Sequence, residues 1–171
     1  LAIDADGNRL LIGTADGKVL SRSLVDSSVQ DNLMEMDDQT TVVRAVAADD
    51  YGTRWAVSDC SLHHKTVSQT SWTENDFCTT DLLEVPTDLL IFSDKIYIAT
   101  AESGMRILDY NTTSDSTGIS VSIDTNTQWT TGNYLTSNSI TQLEKLNSNL
   151  LIATIGGGVN RYDMVADTWL A

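Results

Sequence analysis

The sequence predicts an all-β fold made of about four antiparallel meanders, and three observations carry that reading. Short apolar runs alternate with turns rich in Gly, Asn, Asp, Ser and Thr, against a single Pro and ten Gly in 171 residues. The pattern repeats: aligning the ends of successive second runs gives Thr14, Ser58, Thr100 and Thr154, spaced by 44, 42 and 54 residues, and Trp129 and Trp169 stand 40 apart. The second runs are apolar on both faces (Leu10 to Ile12, Ile96 to Ile98, Leu150 to Ile152), which suits strands covered on both sides by neighbouring sheets. Gly13, Ala99 and Ala153 hold one equivalent position, as expected where sheets approach closely; Val57 departs from it.

Each unit justifies its strands in order. In the first, residues 1–41, Asp6-Gly7-Asn8 and Asp16-Gly17 are turn signals between apolar runs, because Gly accepts positive φ and Asp or Asn can bond its own backbone. A fourth strand and a polar connection must then fall between Val25 and Asp38. The second unit, 42–85, runs from Val42 to Ala47, turns at Asp49 to Gly52, continues through Arg54 to Ser58 and Leu62 to Val67, and ends in an outer strand around Ser71-Trp72-Thr73. The third, 86–136, has Leu89 to Phe92, a Ser93-Asp94 turn, Lys95 to Thr100, a turn at Glu102-Ser103-Gly104 and Met105 to Tyr110. Its polar stretch from Asn111 to Gln128 reads as a long loop around one strand, Ile119 to Ile123. This insertion accounts for the long third spacing.

The fourth unit, 137–171, holds the clearest repeat, Leu150 to Thr154, the glycine turn 156–158, Val159 to Asp163, and Trp169. Its first run, Ser139 to Leu146, has helical apolar spacing and a Ser-x-x-Gln capping box. The repeat argues for a strand there, and the repeat decides. A period of about 40–50 residues with about four strands per unit is the signature of β-propeller blades.

Leu-Leu-Ile-Gly-Thr at 10–14, and Ile-Ala-Thr followed by a glycine turn and Arg-Tyr-Asp at 152–163, resemble the two-component-regulator propeller repeat. Gly156-Gly157, Tyr162 and Trp169 also resemble a kelch repeat. The first resemblance implies an extracytoplasmic sensor domain and the second an interaction module. Both motifs encode blade geometry and say little about activity. Four blades either close alone, complete an eight-bladed ring as a homodimer, or form part of a larger propeller.

Composition removes several function classes. Ten Lys and Arg against 24 Asp and Glu give a net charge of −14, with the cations scattered singly. No basic stripe exists to neutralise phosphates, so nucleic acid is not an expected partner. No apolar run is long enough to insert in a membrane as a helix. The chain opens at Leu1 in strand-like sequence, so a targeting segment is expected to have been removed or to lie outside it.

The candidate ligand-binding residues are Asp16, Asp59 and Glu102, which fall in equivalent turns between second and third strands. Turns of this class share one end of a propeller, where three carboxylates could meet a cation or a hydroxyl-rich ligand. The competing reading is that acids favour exposed turns, and glycines replace the acid in the fourth unit. Calcium is the one cofactor left open, because Asp4-Ala5-Asp6-Gly7-Asn8 resembles the start of a calcium loop while lacking the distal Glu. Cys60 and Cys78 are a disulfide candidate. A hairpin centred on Gln69 would pair residues summing to 138, placing Lys65 opposite Thr73 and the two cysteines opposite each other. Such a bond implies an oxidising compartment. His63 and His64 should point to opposite strand faces, one packed and one solvated, and cannot chelate one ion. Asp50 to Trp55 resembles a sialidase Asp-box, with Ala48 and Arg54 at two of its positions. Asn111-Thr112-Thr113 is an N-glycosylation sequon.

The expected function is a non-catalytic binding or scaffolding module of a secreted, periplasmic or cell-surface protein. Its loops would recognise a polysaccharide, a peptide or a partner protein. The alternative is a propeller-type glycoside hydrolase or lyase. That chemistry needs two carboxyl groups about 5–10 Å apart, one with a raised pKa.

Overall fold

The computed structural model describes residues 2–6, 9–24, 34–35, 42–59, 61–77, 85–115 and 118–170. Its sixteen strands form four four-stranded antiparallel sheets, each a simple meander in chain order. The first sheet holds β1 (Ala2–Asp6), β2 (Arg9–Gly13), β3 (Lys18–Ser23) and β4 (Met34–Glu35). The second holds β5 (Ala45–Ala48), β6 (Arg54–Val57), β7 (Ser61–Lys65) and β8 (Thr73–Asp76). The third holds β9 (Pro86–Phe92), β10 (Lys95–Thr100), β11 (Met105–Asp115) and β12 (Gly118–Trp129), and the fourth β13 (Ile140–Leu146), β14 (Asn149–Thr154), β15 (Gly158–Asp163) and β16 (Thr168–Leu170). These are propeller blades, and their first strands lie side by side, β1 against β5, β5 against β9 and β9 against β13.

Three apolar cores fill the three joints. Leu11, Val19, Val43, Val46 and Ala56 join blades 1 and 2. Trp55, Val57, Leu62, Leu89, Ile96, Ile98 and Tyr110 join blades 2 and 3. Tyr97, Met105, Trp129, Leu143, Leu150, Ile152 and Tyr162 join blades 3 and 4. Alternate residues of one second strand therefore serve opposite joints: Ile96 and Ile98 face backward, Tyr97 and Ala99 forward. This is why those runs are apolar on both faces. Gly13 sits where the first two blades come closest: an added Cβ would stand 2.5 Å from Val43 Cγ1.

The aligned hydroxyl residues have a common task. Thr14, Ser58, Thr100 and Thr154 each donate a side-chain bond to the carbonyl that opens the third strand, that of Lys18, Ser61, Gly104 and Gly158 respectively, at 2.7–3.3 Å. A hydroxyl at the last residue of the second strand, or one past it, thus closes every turn, and this recurrence explains the repeat visible in sequence.

One ambiguity is resolved as expected, since residues 140–146 form a strand, and three expectations need correction. The hydrophobic spacing of Ile140 and Leu143 looks helical because β13 carries a bulge between Ile140 and Gln142, which puts residues three apart on one face. β9 has the matching irregularity beside Thr87, so Pro86 and Leu89 are both buried. The two bulged strands are tied together, since Thr87 Oγ1 donates to the Ile140 carbonyl at 2.8 Å and the Leu143 amide donates to Asp88 Oδ2 at 2.7 Å.

The polar stretch after Tyr110 is not a loop around one strand. β11 and β12 pair through Asp115 and Gly118, with Thr and Ser filling the outer hairpin; Thr is a good strand former, and outer strands need little apolar surface. The Asn111 sequon accordingly lies in β11.

The β7–β8 hairpin is shifted by one from the expected register. His64, not Lys65, stands opposite Thr73, because the connection between that pair runs from Lys65 to Trp72 and is centred between Ser68 and Gln69 rather than on Gln69. Along the described residues of this hairpin the cross-strand partners are therefore one position away from those expected. Cys60 and Cys78 themselves lie outside the described residues, as do Gly7 and Asn8 of the calcium-like segment.

Both histidines are buried, at 5% and 3% exposure, where one was expected in solvent. His64 packs 5.2 Å from Trp55, and His63 Nε2 lies 3.4 Å from Ser58 Oγ. Burial, then the neighbouring His63, lowers the His64 pKa below its usual 6.5. A histidine depressed in the folded state favours folding above its unfolded pKa, and that contribution is lost as pH falls. The melting temperature should drop between about pH 7.5 and 5.5, and His64→Phe should flatten that slope in thermal melts. An unchanged slope would contradict a buried neutral ring.

Candidate functional site

The second-to-third-strand turns hold Asp16, Asp59 and Glu102 as expected, but each turn occupies its acid differently. Asp16 accepts from Thr14 Oγ1 at 2.5 Å and pairs with Lys18 Nζ at 3.0 Å. The Thr14 hydroxyl first, and then Lys18, hold its pKa below the usual carboxylate value. Asp59 receives Arg44 Nε at 2.6 Å, and Glu102 is exposed. Among the described residues, no three His, Cys, Asp or Glu side chains are grouped to hold a metal ion.

A cleft of about 320 Å³ opens instead among the first-to-second-strand turns, lined by Ala48 to Tyr51, Ile91 to Asp94, and Lys145. Three blades build it: the Asp49–Gly52 turn of blade 2, the Ser93–Asp94 turn of blade 3, and β13 of blade 4. Ser93 and Asn147 have φ of 54° and 58°, the left-handed first residue that tight two-residue hairpin loops need.

Asp49 is the structural acid of this end. Its Oδ1 accepts the amides of Tyr51 and Thr53 at 3.0 and 2.8 Å, and its Oδ2 accepts the Trp55 indole N–H at 3.2 Å and the Tyr110 hydroxyl at 3.3 Å. Tyr110 also donates to the Ser93 carbonyl at 3.0 Å, so one phenol ties the turns of blades 2 and 3. Burial, and next the Asp49 charge, raise the pKa of that phenol, keeping it a donor. In the Asp-box-like segment it is therefore Asp49 that binds the turn to Trp55.

Asp50 and Asp94 remain on the cleft wall beside Tyr51, which is 55% exposed, and Phe92. Lys145 reaches into the same space and sets its ammonium 4.4 Å from the centre of the Phe92 ring. The lining is thus acidic, aromatic and already host to one cation. Neighbouring hollows continue from it along Lys95, Asp109 and Asn111 on one side and along Leu89 to Ile91 and Glu144 on the other.

Sequence reasoning placed the candidate site at the opposite class of turn. Asp49, Asp50 and Asp94 read as ordinary turn formers, and each does occupy a turn. The available signal was their recurrence in the first turn of successive units, the same test that singled out Asp16, Asp59 and Glu102.

No protein-family model and no curated protein matches the chain. Solved structures do. The chain is similar over 99% of its length to the extracellular domain of BT4673 from B. thetaiotaomicron, described as a hybrid two component system, with TM-score 0.67 and 14% identity. It is similar, again over 99%, to the WD40 domain of Neurospora crassa Pan2, with TM-score 0.65 and 15% identity, and to the computationally designed Ika8 protein, with TM-score 0.63 and 13% identity. The chain spans 24% of the BT4673 domain, 48% of the Pan2 domain and 47% of Ika8. At these identities the likeness is one of architecture, and with the blade meanders and inter-blade cores it establishes a β-propeller fold.

Proposed function

We propose that the chain is a non-catalytic binding module whose first-turn cleft receives a cationic group from a peptide or partner protein. The observation that carries this reading is Lys145, whose ammonium lies over Phe92 in a cleft walled by Asp50 and Asp94. The site already holds one cation over a ring face, in a cleft whose walls carry carboxylates, and ring faces with carboxylates are the combination that recognises lysine or arginine side chains. The net charge of −14 adds long-range attraction for a basic partner. Similarity to the extracellular domain of a two component system supports a secreted or cell-surface setting.

The test is calorimetric titration at low salt with a short Lys/Arg-rich peptide and with its Gln-substituted counterpart. Binding should be confined to the basic peptide and weaken with salt. Asp50→Asn with Asp94→Asn should reduce affinity roughly three- to tenfold, the scale of two exposed charge contacts. Equal binding of both peptides, or no change in the double variant, would refute the reading.

A further inference from the structure

We infer that the hollow between blades 3 and 4 is a second subsite for the same ligand, where the Tyr97 hydroxyl donates to a main-chain carbonyl of a bound peptide. The subsite presupposes the cationic cleft and extends it from one side chain to a length of backbone. The hollow, of about 330 Å³, is lined by Tyr97, Lys95, Asp109 and Asn111 of blade 3 and by Met164 of blade 4. It shares Phe92, Ser93 and Asp94 with the cleft that holds Lys145. The Ser93–Asp94 turn is therefore the ridge between two adjoining recesses. A few residues of extended chain, advancing about 3.3–3.6 Å each, cross such a turn.

The tyrosines single out this hollow. Of the five, Tyr51 and Tyr134 are exposed, and Tyr97, Tyr110 and Tyr162 are buried. Buried phenols ordinarily find a hydrogen-bond partner. Tyr110 donates to Asp49 and to the Ser93 carbonyl, and Tyr162 donates to Asp167. Tyr97 is 1% exposed, yet among the described residues its hydroxyl has no partner. Nor is it one of the unpaired polar atoms enclosed by protein. Tyr97 lines the hollow, and a ligand there satisfies the hydroxyl.

The surroundings narrow the acceptor. Burial, and then the charges of Asp167 and Asp109, push the Tyr97 pKa up to about 12, so the phenol stays a donor. Asp94 and Asp109 face the single Lys95, which is paired with Asp109 at 2.5 Å. The lining is net negative and disfavours an anionic acceptor; an amide carbonyl is neutral. Met164 and Phe92, both half-buried, add apolar surface for a side chain beside that carbonyl. The walls are held in place, since the Met164 amide donates to the Ser148 carbonyl at 2.8 Å and the Tyr110 amide to the Asp94 carbonyl at 2.9 Å.

The test is an NMR titration of the wild type and Tyr97→Phe at low salt with two probes of equal charge. One is a capped peptide in which two Lys alternate with Leu; the other is cadaverine, which carries two ammonium groups and no carbonyl. Tyr97→Phe should weaken the peptide about three- to tenfold, the range for one hydrogen bond, and leave cadaverine unchanged. Its melting temperature should equal or exceed that of the wild type, because no protein partner is lost. Undiminished peptide affinity overturns the subsite. Equal losses for both probes overturn it by placing the effect in the cleft, and a lower melting temperature by showing that the fold itself uses the hydroxyl. Tyr97-dependent binding of cellopentaose in place of the peptide would assign the hollow to a sugar and overturn it as well. Failure of the cleft reading looks different: neither cationic probe then binds the wild type.

Discussion

Trp55→Ala should remove about 3–5 kcal/mol of stability, the range for truncating a fully buried large aromatic. Trp55 is 0% exposed at the centre of the joint between blades 2 and 3. Its ring meets Tyr110 edge-on at 5.0 Å and His64 at 5.2 Å, and its N–H ends on Asp49. Deletion opens a cavity and leaves one oxygen of Asp49 to Tyr110 alone. Domains of this class have only about 5–15 kcal/mol in total, so the variant should be close to unfolding at room temperature. Urea denaturation measures this directly. Trp55→Phe fills most of the space but gives up the indole bond, and should lose far less. Equal losses for the two variants would place the contribution in the hydrogen bond rather than the packing.

Gly104→Ala should be the most damaging of the glycine substitutions. Gly104 has φ of +81°, and an added Cβ would fall 2.1 Å from the Trp129 carbonyl oxygen. Its backbone is pinned as well: the amide donates to Asn138 O at 2.9 Å, and its carbonyl accepts the Thr100 amide at 3.0 Å and hydroxyl at 2.7 Å. The left-handed conformation costs a non-glycine residue about 1–2 kcal/mol. Displacing the carbonyl adds an overpacking cost of about 1–3 kcal/mol. Gly156 supplies a matched control, with φ of +77° and nothing within 4 Å of the place a methyl group would take. Gly156→Ala should therefore show the conformational cost alone. The difference between the two midpoints in parallel urea curves isolates the contact, and no difference would refute it.

The blade repeat was legible because its signals are local and recur. A hydroxyl closes each second-to-third-strand turn, and apolar residues on both faces of β10 reflect joints on both sides. What the sequence obscured were positions where one extra residue changes the count. The bulge in β13 made a strand look helical, and one residue in the β7–β8 turn shifted the hairpin register. Bulges and turn lengths are set by backbone pairing, which leaves no periodic trace. In the outer hairpin of blade 3 only the apolar run from Ile119 to Ile123 was legible as strand, because the flanking residues are polar, although Thr is a good strand former.

The candidate site was less legible for a different reason. Acids in turns look alike whether they close the turn, as Asp49 does with four donors, or face the cleft, as Asp50 does. Only the three-dimensional convergence of blades 2, 3 and 4 separates those roles. Asp16 and Asp59 show the converse, since each is matched by a nearby cation from its own blade region.

The three separate inter-blade cores also bear on how such a chain can change over generations. Each blade is read only by its immediate neighbours, so a substitution at Ile98 is answered by Trp55 or Leu62 and goes unnoticed at Leu150. Compensation is confined to pairs of adjoining sheets. Whole meanders can then be gained or lost by duplication while the remaining joints keep their fit, and drift at the cleft turns is uncoupled from drift in the buried strands beneath them.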